Sequence, residues 1–256
     1  TALPAEILYR FYTEYSARLL AEKLERGLLE FDDVRAMLYK LLTDEDGNAT
    51  PFAEELAASY DAVYINEYQD VDYLQDRIFS LIGQNRRFMV GDIKQSIYGF
   101  RGSEPSIFAG YRRQMPLFDT PEAKNADGAC VFMSDNFRCD KGVIEFSNAL
   151  STLMFGKTRA IPYSSEDELV FAKRGADYES DKAEIYIIDK SRGDEDDDEN
   201  LLLREAQFVA QKIKEYLDSG YLANGRKIEP RDIAILLRGF KKPVKMYVDA
   251  LEARGI

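Results

Sequence analysis

The sequence predicts an α/β fold, in which parallel sheets are flanked by helices and preceded by an N-terminal helical segment. Short apolar runs rich in β-forming residues, at 62–65 and 87–90, enclose an amphipathic helix pattern, which is the order of two parallel strands joined by a helix. The same order recurs over 184–188, 201–217 and 232–237. With 256 residues, 45% of them apolar, the chain can fill the cores of one large or two modest domains.

Three helices are predicted before the first strand. Apolar residues recur every three to five positions from Leu3 to Leu28 and predict one long amphipathic helix. Asp32 or Asp33 is the expected N-cap of a second helix, because a carboxylate accepts hydrogen bonds from the free N–H groups of a first turn. Pro51 begins a short third helix, since proline fits the first helical position.

Further elements follow the second strand. An apolar pattern around Phe108 predicts a helix, the polar stretch 119–128 predicts a loop, and the apolar run 130–133 predicts a strand. A boundary between two domains is expected near this loop. A helix is then predicted over 141–155, and a last helix begins near Val244.

The composition excludes several kinds of chemistry. The chain contains no histidine, so acid–base work falls to carboxylates, lysine or tyrosine, and histidine-ligated metals are excluded. Cys130 and Cys139, the only cysteines, are expected to be reduced structural thiols. The sequence has neither a run of about 18 apolar residues nor a signal-peptide pattern, so a cytoplasmic location without membrane contact is expected.

The charge distribution is uneven. The net charge of −12 argues against indiscriminate binding of nucleic acid, which needs clustered lysine and arginine. One stretch is nevertheless basic, and it is compatible either with a DNA-facing patch or with an ordinary solvated face of mixed charge. Its basic residues are Arg86, Arg87, Lys94, Arg101, Arg112 and Arg113, against the acidic residues Asp92 and Glu104.

Polar side chains follow both predicted strands of the first pair. Glu67 comes directly after one strand, and Asp92, Lys94 and Gln95 follow the next. Open α/β folds bind ligands at the carboxyl edge of a parallel sheet, and phosphoryl transfer needs a carboxylate for water and donors for the γ-phosphate. The amide of Gln95 could report whether a γ-phosphate is present. A polar loop that only caps the sheet is the alternative.

Three motifs now occur in order: EYQD at 67–70 followed by Gln75, GDIKQSIYGFRG at 91–102 and SDNFR at 134–138. They resemble motifs II, III and IV of the UvrD-like superfamily 1 helicases, and in particular the AddA-type helicase–nuclease subunits related to RecB. The segments EAQFVAQKIKEYL and PRDIAILLR are also similar to the second core domain of AddA. The resemblance covers most of the chain from about Phe31 onward.

The resemblance implies parts of two RecA-like P-loop NTPase core domains. Residues 1–58 are then a helical subdomain segment, and residues 59–128 are the C-terminal half of the first RecA-like domain. Residues 129–256 are the N-terminal part of the second domain, from motif IV onward.

The resemblance also assigns roles around the nucleotide, with ATP and Mg²⁺ as ligands of the parent protein. Glu67 matches the catalytic carboxylate that polarises the attacking water, and Gln95 matches the γ-phosphate sensor. Arg101 matches the motif III arginine near the γ-phosphate, and Arg138 the arginine that reaches the nucleotide from the second core domain. Phe137 stands where the family has an aromatic near the adenine.

Two further positions of motif II belong to the implied nucleotide site. Asp70 matches a residue that couples the site rather than binding metal. Asn66 stands where the family has the magnesium-binding aspartate, and an amide lacks the anionic oxygen that Mg²⁺ prefers. Metal binding at Asn66 is therefore in doubt.

The resemblance assigns DNA contacts to motif III. Tyr98 and Phe100 match aromatics on which single-stranded bases stack, with Lys94 beside them, and such stacking is worth about 1 to 3 kcal/mol per base. Core packing is the alternative for the two rings, because a spacing of two also fits a strand.

The sequence lacks a recognisable Walker A motif. The run GKT at 156–158 has Ser151 where the motif needs its first glycine, and it ends a predicted helix instead of following a strand. The chain also ends before anything like motifs V and VI, so it is expected to be an internal piece of a larger protein. The piece by itself is expected to be inactive.

The expected parent is an ATP-dependent DNA helicase that acts in double-strand break repair and recombination. It would bind single- and double-stranded DNA, have no membrane contact and work with an AddB-like partner subunit. Two alternatives stay open at this point. One is a pseudo-ATPase that keeps the fold as a DNA-binding scaffold, for which Asn66 argues. The other is a protein-interaction module that does not use nucleotide.

Overall fold

The computed structural model describes residues 2–156, 163–172, 183–188, 198–223, 226–239 and 241–256. The chain divides into two compact units, Thr1–Lys182 and Ala183–Ile256. The first unit carries the three motifs, and each unit is built around its own apolar clusters.

The first unit begins with the three predicted helices, α1 (Ala2–Glu25), α2 (Phe31–Leu42) and α3 (Pro51–Ala58). Helix α1 ends before Leu28, because the backbone at Gly27 turns to a φ of +65°. The expected N-cap of α2 is wrong, since Glu30 holds that position. Asp33 lies three residues further on and accepts a 2.9 Å hydrogen bond from the Glu30 N–H, which completes a reciprocal cap.

The next elements are β1 (Val63–Ile65), α4 (Tyr73–Gly83) and β2 (Arg87–Met89). The two strands are parallel, with Tyr64 opposite Phe88. A parallel pair needs a crossover connection, and α4 supplies it. The predicted strand, helix and strand are therefore confirmed, and with them the α/β class.

Two apolar clusters hold this part of the chain together. Leu42, Ala53, Ile78 and Leu81 are buried where α2, α3 and α4 meet. A second cluster, Ile65, Tyr68 and Val71, packs against helix α5 (Pro105–Gln114) through Ile107, Phe108 and Tyr111. The cluster covers one face of the small sheet, whereas Tyr64 and Phe88 lie exposed on the other face with ring centroids 5.7 Å apart. The expectation of a fully buried sheet is wrong for that face.

The rest of the first unit contains β3 (Asp135–Asn136), α6 (Lys141–Phe155) and β4 (Val170–Phe171), with β3 and β4 parallel. Helix α6 has the predicted bounds. The strand predicted over 130–133 is wrong, because only Cys130 pairs, in a single bridge to Leu117. Val131 and Met133 are exposed, and no neighbouring strand among the described residues covers them.

The second unit contains α7 (Asp198–Ser219), β5 (Leu222–Ala223), β6 (Arg226–Lys227) and α8 (Lys241–Glu252). The two predicted helices pack together through Ala206, Ala210, Tyr247 and Ala250. Residues 184–188 and 233–237 are described but form no strand, so both strand predictions are wrong. None of the helices that the structure describes has the length and apolar character needed to span a membrane.

Candidate functional site

The candidate site lies where β1 and β2 end. Val90 N donates to Ile65 O, and Tyr68 N donates to Val90 O, both at 2.9 Å, so the pairing of the two chain segments continues past the strands. The loops that follow carry Glu67 and Asp92. Because the strands are parallel, both loops emerge at the same edge of the sheet, where α/β folds bind ligands.

Glu67 has an unusual backbone conformation. Its φ of +55° and ψ of +45° lie in the left-handed region, which costs a non-glycine residue on the order of 1 kcal/mol. The hydrogen bond of the next N–H to Val90 holds the chain in this conformation. The carboxylate is exposed, and its Oε2 accepts a 2.7 Å hydrogen bond from Gln69 Nε2.

Gln69 joins the two loops. Its side chain is only 1% exposed, and its Oε1 accepts a 3.0 Å hydrogen bond from Asp92 N. Its main-chain oxygen accepts a 3.2 Å hydrogen bond from Ser96 Oγ. The sequence patterns do not single out Gln69, because glutamine is mostly exposed in folded proteins. The available signal is an amide between two acidic residues directly after a buried strand.

Asp92 organises the second loop. It begins a short 3₁₀ turn, and its Oδ1 accepts a 3.0 Å hydrogen bond from Lys94 N and lies 2.9 Å from Lys94 Nζ. Its Oδ2 accepts a 3.0 Å hydrogen bond from Gln95 Nε2. The structure therefore brings Glu67, Lys94 and Gln95 into one network through Gln69 and Asp92.

The aromatic pair follows this loop directly. The rings of Tyr98 and Phe100 are 38% and 79% exposed, with centroids 6.0 Å apart. Arg101 Cζ lies 5.3 Å from the Tyr98 centroid and 5.6 Å from that of Phe100. The two rings are not core residues. They form a surface that combines exposed aromatic faces with a guanidinium, the two kinds of group on which unpaired bases stack.

Arg138 and Phe137 lie apart from this network. Asn136 Oδ1 accepts hydrogen bonds of 2.9 Å from both Arg138 N and Cys139 N, a side-chain turn that leaves the side chains of Phe137 and Arg138 exposed. Within the described part of the first unit, no hydrogen bond or ion pair joins Arg138 to the Glu67 loop.

The basic stretch is not one continuous patch. Arg86 donates a 2.7 Å hydrogen bond to Ala57 O, and Arg87 donates to Ser80 Oγ and Tyr111 Oη at 3.0 and 3.1 Å. Arg112 pairs with Asp167. These three arginines are half-buried and stabilise the fold, so they are neither a solvated face nor a free DNA-binding surface.

The residues of motif II do not make a magnesium site by themselves. Asn66 is exposed and offers a neutral oxygen, and the described residues contain no group of three or more acidic or cysteine side chains around a common point. Asp70 Oδ1 is buried without a hydrogen-bond partner in the described regions, and Oδ2 accepts a 3.4 Å hydrogen bond from Gln69. Lys157 and Thr158 of the GKT run lie outside the described residues.

The fold and the paired loops define an α/β protein with a candidate nucleotide site beside an exposed aromatic pair. Residues 2–116 match the UvrD/REP helicase N-terminal domain. The chain belongs to the UvrD-like helicases, and its relatives over nearly its whole length carry the name AddA, a subunit of an ATP-dependent helicase/nuclease.

The similarity to these relatives is moderate in identity and wide in coverage of this chain. The protein of Geobacillus thermodenitrificans is 32% identical over 275 residues, which cover 98% of this chain and 22% of the relative. The protein of Bacillus cytotoxicus is 32% identical over 273 residues, covering 97% of this chain and 21% of the relative. That of Clostridium beijerinckii is 29% identical over 286 residues, covering 97% and 22%. The chain thus spans about a fifth of the length of these curated relatives.

Proposed function

We propose that the protein carrying this chain is an ATP-dependent DNA helicase that couples ATP hydrolysis to movement along single-stranded DNA during double-strand break processing. The observation that carries the proposal is the link between the two loops. Glu67 and Gln95 belong to one hydrogen-bonded network, through Gln69 and Asp92, and the exposed pair Tyr98 and Phe100 follows within a few residues. Nucleotide and DNA contacts are therefore neighbours in the same segment.

The proposed roles follow from the position of each side chain. Glu67 orients the attacking water, because an exposed carboxylate with one fixed oxygen has the other available for hydrogen bonding. Gln95 contacts the γ-phosphate with its amide, and Arg101 stabilises the charge that develops there. Arg138 and Phe137 would reach the phosphates and the adenine only when the nucleotide brings their segment close.

Arg101 has a second set of contacts that favours coupling. Its guanidinium lies over both Tyr98 and Phe100. A shift of Arg101 toward a phosphate group would therefore disturb the surface on which we place the bases, while Lys94 provides a charge for the DNA backbone nearby.

The wider features of the parent are part of the same proposal. Residues 59–128 belong to the first RecA-like core domain and residues 129–256 to the second, after a helical segment at 1–58. The parent uses ATP with Mg²⁺, acts in the cytoplasm and works with an AddB-like partner subunit. Because Asn66 offers the metal no anionic oxygen, the proposed roles involve protein side chains only.

A DNA-stimulated ATPase assay on the full-length protein tests the function. Glu67→Gln keeps the shape of the side chain and removes the carboxylate, so we expect hydrolysis to fall by at least about 100-fold. Glu55→Gln, the same change at an exposed position of α3, is the matched control and should retain full activity. Equal activity of the two variants would refute the proposed role of Glu67.

The isolated 256-residue chain provides a second test. We propose that it does not turn over ATP, since it lacks a Walker A motif to bind the phosphates. The measurement is phosphate release by the purified chain with single-stranded DNA. Hydrolysis that disappears in Glu67→Gln would contradict this expectation.

A further inference from the structure

We propose that Gln69 is a positioning residue, which orients the Glu67 carboxylate and links it to the loop that carries Gln95. The proposal rests on the proposed function, because it takes Glu67 as the residue that orients the water. It assigns a role to a side chain that is almost completely buried and that lies between the two loops of the site.

The orientation of the Gln69 amide follows from its partners. Asp92 N–H can only donate, so the atom that faces it must be the amide oxygen. The amide nitrogen is then forced to the opposite side, where Glu67 Oε2 lies 2.7 Å away. Both neighbours are satisfied only in this orientation. A rotation of the amide by 180° would place an oxygen against the carboxylate and an N–H against an N–H, and either contact is repulsive.

Gly91 makes this arrangement possible. A Cβ atom at position 91 would lie 2.5 Å from Gln69 Oε1, 3.0 Å from Tyr68 N and 3.1 Å from Gln69 N. A real Cβ does not approach an oxygen so closely, so any side chain at position 91 would push the Gln69 amide away from Asp92. The absence of a side chain there is therefore tied to the position of the Gln69 side chain.

The network restrains one oxygen of Glu67 and leaves the other available. Oε2 accepts the hydrogen bond from Gln69, and the described residues provide no hydrogen-bond partner for Oε1. The backbone of Glu67 is in the left-handed region, so the direction of its side chain depends on the bonds that hold it there. Gln69 thus decides which oxygen faces a water molecule.

The same amide also connects Glu67 to the γ-phosphate sensor. Gln69 Oε1 holds the main chain of Asp92, and the Asp92 carboxylate holds the side chain of Gln95. Ser96, the next residue, donates to the Gln69 main-chain oxygen. A shift of this loop when Gln95 contacts a phosphate would therefore move the Gln69 amide and with it the Glu67 carboxylate.

Steady-state ATP hydrolysis by the full-length protein with single-stranded DNA tests this role. Gln69→Met has nearly the same shape as the wild type and removes both side-chain hydrogen bonds. We expect kcat to fall about 10- to 100-fold while KM for ATP stays within about twofold, since a misplaced catalytic group slows the reaction more than it weakens binding. Gly91→Ala leaves Gln69 in place but displaces its amide, and it should produce the same pattern.

Tyr68→Phe is the matched control. It removes a buried hydrogen bond from the neighbouring residue, but that bond is to Asp76, away from Glu67. Its kcat should stay within about twofold of the wild type. Hydrogen exchange of the Asp92 amide provides a measurement that does not depend on activity, and exchange should be faster in Gln69→Met and unchanged in Tyr68→Phe.

The possible outcomes separate the two proposals. A wild-type kcat in Gln69→Met, or an equal loss in Tyr68→Phe, overturns the role of Gln69 and leaves the proposed function standing. Hydrolysis that does not depend on Glu67 overturns both. If Gln69→Met does not fold, Gly91→Ala decides, and a wild-type kcat in that variant contradicts the proposal.

Discussion

Arg112 binds Asp167 through two parallel hydrogen bonds, from Nη1 to Oδ1 at 2.6 Å and from Nη2 to Oδ2 at 2.9 Å. The pair joins α5 to a 3₁₀ turn that lies 55 positions later in the chain. Arg112 Cζ also lies 4.6 Å from the centroid of the Phe132 ring. Burial alone would raise the pKa of Asp167, but the hydrogen bonds from Arg112 and from Ser164 N outweigh it and hold the pKa below its usual value of 3.8.

Arg112→Met should destabilise the protein. The pair is mostly buried, so its loss is expected to lower the free energy of unfolding by about 1 to 3 kcal/mol, between the values for exposed and for fully buried pairs. Chemical denaturation measures the change. Arg113→Met is the matched control, because Arg113 is the exposed neighbour, and it should change the free energy by less than about 0.5 kcal/mol.

The effect of Arg112→Met should depend on pH. Because the pKa of Asp167 is lower in the folded state than in the unfolded chain, the pair stabilises the protein fully above the unfolded value and less as the pH falls through the folded one. The difference between wild type and variant should be constant above about pH 5 and shrink below about pH 4. A difference that grows at low pH would contradict this assignment.

Tyr68→Phe should also destabilise the protein. The fully buried Tyr68 hydroxyl donates a 2.6 Å hydrogen bond to Asp76 Oδ1, and burial together with this bond raises the pKa of Tyr68 well above its usual value. A hydrogen bond to a charged group is worth about 1.5 to 3 kcal/mol, and we expect a loss of that order in chemical denaturation. Tyr73→Phe, at an exposed tyrosine of α4, should be neutral, and equal losses in the two variants would refute the role of the bond.

Phe100→Ala should weaken binding of single-stranded DNA. The ring is 79% exposed beside Arg101, so its removal should lower affinity by about 1 to 3 kcal/mol, or about 5- to 150-fold. Phe118→Ala, at a ring that is 71% exposed outside the motif, is the control and should bind normally. Fluorescence anisotropy with an oligonucleotide measures both variants of the full-length protein, and normal binding by Phe100→Ala would exclude stacking on this ring.

Asn66→Asp should increase the affinity for magnesium. An aspartate at this position supplies the anionic oxygen that Mg²⁺ prefers, so the Mg²⁺ concentration for half-maximal ATP hydrolysis should fall by about threefold to tenfold. Asn85→Asp adds the same charge at another exposed position and should not change it. An unchanged Mg²⁺ requirement in Asn66→Asp would mean that position 66 does not contact the metal.

The elements that could be predicted from the sequence are those with a local signal. The unit β1, α4 and β2 has strand-like runs around a helical period, and Pro51 marks the start of α3 at the level of single residues. The runs at 130–133, 184–188 and 232–237 have equally apolar composition, but a strand exists only when a neighbour pairs with it. That pairing depends on the tertiary fold, which the sequence pattern does not contain.

The site divides in the same way. Glu67 and Gln95 could be placed at one sheet edge because each follows a strand whose direction is predictable. The roles of Gln69 and Asp92 as connecting residues could not be predicted, because the burial of a polar side chain depends on the close approach of Gly91 from the other loop. No period or composition marks such an approach.

The network around Glu67 also has a consequence for the order in which the chain acquires its structure during synthesis. Gln69 and Asp92 are 23 positions apart, whereas Arg112 and Asp167 are 55 apart. Contacts between residues close in the chain require less loop closure and form faster. The paired loops can therefore assemble on the ribosome before the Asp167 turn has been translated, so that this site is among the first tertiary structures of the nascent protein.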